Sequence, residues 1–205
     1  KYVNQERISI TRIHPSRGIQ SGGRKITISG ENLGFSEYDI KFCTNSSINR
    51  ICVDCRLHKD AKNSKELDKI RCSIKGAAFV GNLTYLEVTI DKNTILTRSI
   101  QFIILENPEV DEPSEKDSTV FKSGGSNIIV KGKGFNEVDF IGFAGVAQAC
   151  RILNTTTTKR QAECKAPPYV PSSFDKRRKR AVGQTTYLVF DNYQTSYTIY
   201  YAEDP

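Results

Sequence analysis

Six cysteines, Cys43, Cys52, Cys55, Cys72, Cys150 and Cys164, are the residues of this chain best equipped for covalent or metal chemistry. Cys52 and Cys55 stand three apart, with His58 and Cys72 close behind. That set would supply the Cys3His ligands of a zinc site, and the Cys-x-x-Cys spacing also suits thiol–disulfide exchange. Cys150 and Cys164, in the second half, form a lone pair with no histidine beside them. An even count that divides evenly within each half is the pattern of a disulfide framework, so structural bridges are expected, and no metal or cofactor. Such bridges imply an oxidising compartment.

The second constellation is ionic. Arg177, Arg178, Lys179 and Arg180, followed by Ala181, fit the Arg-x-Lys/Arg-Arg pattern cut by furin-like proprotein convertases, whose acidic pockets take several consecutive cations. With Lys176, the run holds five of the net +7 charges and leaves +2 for the rest. The basic balance therefore belongs to one loop, and nucleic acid is not expected as a partner. A nuclear localisation signal, a heparan sulfate site and an uncut solvated loop are the other readings of the same run. Asn45, Asn82 and Asn154 each open an Asn-x-Ser/Thr sequon at a loop or strand start, where a glycan would project into water. His14 and His58 have no motif partners, the acidic residues 111–117 match no EF-hand spacing, and no enzyme activity is expected.

The elements that must carry these groups are short strands. Ile8 and Ile10, Ile26 and Ile28, Ile40 and Phe42, Leu86 with Val88 and Ile90, and Ile100 with Phe102 alternate in runs bounded by turn residues. Period-two runs without a sustained helical period predict an all-β chain of small sandwiches. Residues 60–69 are too polar for a packed helix. No apolar stretch reaches membrane-spanning length. The polar start at Lys1, without a Met, leads us to expect a piece of a longer protein.

The chain also repeats itself. Ser21-Gly22-Gly23, then Ile26-Thr27-Ile28-Ser29-Gly30, returns 102 residues later as Ser123-Gly124-Gly125, then Ile128-Ile129-Val130-Lys131-Gly132. Asn32 answers Gly134, the two residue types that best tolerate positive φ. Thr84-Tyr85-Leu86 answers Thr186-Tyr187-Leu188 at the same offset, so two tandem domains are expected. We expect a linker over 1–7 and domains over 8–104 and 105–203. Aligning Cys55-Arg56-Leu57 with Cys150-Arg151-Ile152, and Cys72 with Cys164, pairs Cys55 with Cys72 and Cys150 with Cys164. Cys43 and Cys52 would bridge a local loop, although four cysteines allow three pairings. From the second cysteine to the Thr-Tyr-Leu strand, the second copy is ten residues longer, and the excess contains the basic run. A cut after Arg180 would leave a piece that no disulfide tethers. Leu188, Phe190, Ile199 and Tyr201 would have to hold it.

Pro15, Ser21-Gly22-Gly23, Ile26-x-Ile28-x-Gly30-x-Asn32-Leu33 and the cysteines that follow resemble an IPT/TIG domain, and the second copy resembles it with Lys133-Gly134-Phe135 in place of Glu-Asn-Leu. The resemblance implies two tandem immunoglobulin-like (IPT/TIG) β-sandwiches, most similar to those of the plexin family, with related stalk domains in the hepatocyte growth factor receptor family. It implies an extracellular module of a single-pass plasma-membrane receptor, spacing a semaphorin-binding head that lies in other domains. Neighbouring stalk domains are its implied partners. An intracellular TIG module of a transcription factor, binding DNA or dimerising, is the alternative, and it predicts free thiols and no glycans.

Overall fold

Alternating apolar residues become strands because period two sends every second side chain to one face of a sheet. The computed structural model describes residues 8–33, 38–45, 49–58, 68–90, 92, 94–115, 117–153, 160–171 and 182–205. The chain forms two units, Lys1–Glu106 and Asn107–Pro205. Residues 60–67 of the polar stretch lie outside the described residues, and Lys69 opens a strand.

The first unit contains β1 (Ser9–His14), β2 (Arg17–Ile19), β3 (Lys25–Glu31), β4 (Tyr38–Cys43), β5 (Cys52–Leu57), β6 (Lys69–Ile74), β7 (Gly81–Ile90) and β8 (Thr94–Leu105). Their hydrogen-bonded order is β1-β3-β6-β5-β4-β7-β8-β2. Ile26, Ile28, Ile40, Phe42, Leu86, Val88 and Phe102 are fully buried between the two layers. Each such side chain contributes roughly 1.5–3 kcal/mol relative to an exposed position. β5 belongs to both layers. Cys52 to Cys55 pair with β4, and Cys55 to Leu57 pair with β6, so the strand changes layer at Cys55.

The second unit contains β9 (Glu109–Val110), β10 (Thr119–Phe121), β11 (Asn127–Lys133), a 3-10 turn (Phe135–Glu137), β12 (Ile141–Phe143), β13 (Arg151–Leu153), β14 (Arg160–Lys165), β15 (Val182–Phe190) and β16 (Tyr193–Ala202). One sheet runs β10-β16-β15-β12 and the other β13-β14-β11-β9. Both units close in the same way. In the first, β2 pairs parallel with the end of β8: Ile103 N–H donates to the Ser16 carbonyl (3.0 Å) and Gln20 N–H to that of Leu105 (2.8 Å). In the second, β10 pairs parallel with the end of β16: Tyr200 N–H donates to the Ser118 carbonyl (3.0 Å) and Lys122 N–H to that of Ala202 (3.1 Å).

The repeated glycines have repeated jobs. A Cβ on Gly30 would sit 1.9 Å from the Ser9 carbonyl oxygen, and one on Gly132 would sit 2.1 Å from that of Glu109. The first strand of each unit lies against the backbone there, and only glycine leaves room. Gly22 and Gly124 adopt φ of 72° and 77°. Gly23 N–H then reaches the Ile74 carbonyl and Gly125 N–H that of Ala166. Asn32 and Gly134 share positive φ, 55° and 77°.

Candidate functional site

The sulfurs are joined as Cys43–Cys52, Cys55–Cys72 and Cys150–Cys164, and no free cysteine is present. β5 explains why Cys-x-x-Cys is not one site. Its burial alternates, so Cys52 is exposed while Cys55 is buried, and each residue turns to a different neighbour. Cys52 bonds across the ladder to Cys43 on β4, and Cys55 bonds inside to Cys72 on β6. The layer-changing strand is thus fastened to both layers. In the second unit Cys150 stands between β12 and β13, where the chain passes from one sheet to the other. Its N–H donates to the Ile141 carbonyl (2.6 Å), and its sulfur bonds that of the buried Cys164. No thiolate is left to ligate zinc. His58 instead shares a 2.7 Å hydrogen bond with the Ser73 hydroxyl. Among the described residues, no group of three His, Cys, Asp or Glu could hold a metal ion.

Asn45, just after β4, and Asn82, at the start of β7, are both exposed. Asn154 and the segment holding Arg177, Arg178, Lys179, Arg180 and Ala181 lie outside the described residues. What frames that segment is described. Val170 N–H donates to the Gln184 side-chain oxygen (3.2 Å), and the Gln184 amide donates back to the Val170 carbonyl (3.0 Å). This reciprocal pair ties the chain before the segment to β15 after it.

β15 and β16 form a hairpin registered from Val182↔Tyr201 to Phe190↔Tyr193, held between β12 and β10. Its Leu188, Phe190, Ile199 and Tyr201 are buried, as alternation places them. Tyr197, which is absent from the sequence expectations, is buried with them against Phe143 (5.5 Å between ring centres). Burial, aided by the Asp117 carboxylate, pushes its phenol up to about 12. Burial raises that of Tyr201 as well, and its hydroxyl donates to the Pro167 carbonyl (3.0 Å) while its ring packs on Tyr169. Tyr197 was legible in principle, being two residues before Ile199 on one alternating run.

Residues 9–62 match the family model of the IPT/TIG domain. No curated protein sequence matches the chain. Among solved structures, the chain is similar to the full extracellular region of plexin A4, domains 1 to 10, at a TM-score of 0.61 and 19% identity, over 90% of this chain and 15% of that one. A second structure of that extracellular region, with domains 1 to 8, gives a TM-score of 0.59 and 17% identity over 97% of this chain and 19% of that one. The chain thus spans less than a fifth of either plexin chain. These likenesses show the fold, tandem immunoglobulin-like sandwiches of the IPT/TIG kind.

Proposed function

We propose that the chain is an extracellular stalk module of a plexin-like, single-pass cell-surface receptor for semaphorins. Its two sandwiches space and orient a ligand-binding head carried by other domains, and neighbouring stalk domains flank it. One observation carries the reading: all six cysteines are bridged inside two sandwiches whose fold matches the plexin A4 extracellular region over 90% of the chain. Bridged cysteines belong to oxidising compartments, which disfavours the nuclear TIG alternative. In this reading the domains divide between residues 104 and 105, beside the end of β8 at Leu105, whereas the two units divide between Glu106 and Asn107.

The same reading includes processing. A furin-like protease cuts after Arg180, in the ten-residue excess of the second domain, and the hairpin stays bound without a covalent tether. Both Cys150 and Cys164 precede the cut, so the two ladders beside the hairpin and its buried side chains hold it. Heparan sulfate is a second ligand for the uncut run through charge attraction.

Intact mass of the chain secreted from mammalian cells tests this, with and without reductant and a glycan-removing amidase. Glycans on Asn45, Asn82 and Asn154, three bridges and two co-purifying pieces split at Arg180 are the expected result. Free thiols on a bare polypeptide would sink it.

A further inference from the structure

Of the three bridges, Cys43–Cys52 is the one without a counterpart. The second unit builds its two sheets, closed by the same parallel pair, with Cys150–Cys164 as its single bridge. That bond answers Cys55–Cys72 in the repeat, so Cys43–Cys52 is an addition. The strands it joins are also held in other ways. β4 and β5 pair from Ile40↔Cys55 to Phe42↔Val53, and Phe42 and Val53 are buried. Past the bridge, Thr44 N–H donates to the Ile51 carbonyl (2.9 Å) and Ile51 N–H to the Thr44 hydroxyl (3.1 Å). Cys55–Cys72 fastens β5 to β6 as well.

Exposure singles out the same bridge. Cys55, Cys72 and Cys164 are buried and Cys150 is half-buried, whereas Cys52 is exposed. Thr44 and Ile51 are hydrogen-bonded across the ladder, so by alternation the next pair, Cys43 and Cys52, is not. The N–H and carbonyl of Cys52 therefore point away from β4. Asp54 uses that side of β5 to accept the Lys75 N–H (2.9 Å). The pairing with β6 begins only at Cys55, and Cys52 has no backbone partner on that side among the described residues. Ile51 beside it is 45% exposed. An exposed half of a disulfide, an unpaired backbone donor and acceptor, and an apolar side chain stand together at the start of one strand.

We propose that Cys43–Cys52 is a thiol-exchange site for a protein dithiol of the Cys-x-x-Cys class. The backbone beside that dithiol pairs with the free edge at Cys52, and Ile51 gives it an apolar contact. One thiolate of the partner attacks the Cys52 sulfur. A mixed disulfide forms, the bond to Cys43 breaks, and Cys43 leaves as a thiolate that takes a proton from water. The partner's second thiolate then attacks its own sulfur in the mixed disulfide and releases Cys52, which is protonated in turn. Two electrons pass to the bridge, and the partner departs as a disulfide. Two thiols remain on β4 and β5, whose ladder keeps them opposite each other.

The test uses the chain as secreted, with reduced thioredoxin as the probe and N-ethylmaleimide to label each new thiol for mass spectrometry. Buried sulfurs are reached only in the open fraction of molecules, about one in a thousand or fewer, so Cys43 and Cys52 should be labelled about a hundredfold sooner than the other four, or more. A thioredoxin with serine for its resolving cysteine should be trapped on Cys52. Cys43→Ala together with Cys52→Ala should keep the native circular dichroism and abolish the trapping. Labelling of no bridge, or of all three at similar rates, would overturn the proposal, as would a trap on any other cysteine. Loss of the fold in the double variant would make the bridge structural and equally overturn it. Glutathione opening the bridge as fast as thioredoxin at equal thiol concentration would show that exposure alone sets the rate, and would overturn the protein dithiol as its partner.

Discussion

Tyr201→Ala separates the two ways in which the C-terminal hairpin is held. The ring is 1% exposed, packs 5.3 Å from Tyr169, and its hydroxyl donates to the Pro167 carbonyl. Truncating a buried aromatic side chain costs about 3–5 kcal/mol, with about 1 kcal/mol of it from the hydrogen bond. In the uncut chain, about 4 kcal/mol lowers the melting temperature of a domain this size by roughly 15–30 °C. After a cut at Arg180, the same loss appears as a dissociation constant for the hairpin raised about a thousandfold. Tyr201→Phe keeps the ring and loses only the hydroxyl, so its effect in the cut chain is about fivefold. Furin-treated protein in a dilution series, read by native mass spectrometry, measures the fraction of hairpin retained at each concentration. If Tyr201→Ala, cut and still folded, held its hairpin as tightly as the unaltered protein, the ladders alone would be holding the piece. The reasoning from buried side chains would then be wrong.

Two further outcomes follow from the same geometry. Tyr197 keeps its proton to about pH 12 when folded, whereas an unfolded tyrosine loses it near 10. Between those values the unfolded state binds fewer protons, so the contribution of Tyr197 to stability is level below pH 10 and falls as pH rises through 10 to 12. Chemical denaturation across that range, with and without Tyr197→Phe, checks this, since the phenylalanine variant should lose some of the fall. At the repeated glycines, Gly132→Ala should destabilise more than Gly125→Ala. The first drives a methyl group to 2.1 Å from the Glu109 oxygen, and the second meets nothing within 4 Å and adds only the strain of φ 77°. Melting temperatures of the two variants give the order directly.

Much of the core was legible because burial in a two-layer sandwich follows strand alternation. Ile26, Ile28, Phe42, Leu86 and Phe190 sit where period two puts them. Ile8 and Ile100 obey the same alternation but are only partly buried, because they lie at a corner of the sandwich that no strand covers among the described residues. β7 breaks the rule: Leu83 and Leu86 are both fully buried three residues apart, where a register shift against β8 turns the strand over. The short strands β2 and β10 were not legible. Three residues carry no period, and their pairing with β8 and β16 is set by partners about eighty residues or more away in sequence. The reciprocal bond between Val170 and Gln184 was invisible for a similar reason, since a surface glutamine has many uses and only its placement opposite a loop end selects this one.

The parallel pairs that close both units have a mechanical meaning. In each unit they join a strand near the beginning to the last strand, β2 to β8 and β10 to β16. Tension on the two ends of such a unit slides one partner along the other, so its hydrogen bonds carry the load together instead of opening one by one. A cut between β14 and β15 leaves the second of these ladders untouched, with one partner on each piece. In the uncut chain, rupture of that ladder unravels a single molecule. In the cut chain, the same rupture releases one polypeptide from another.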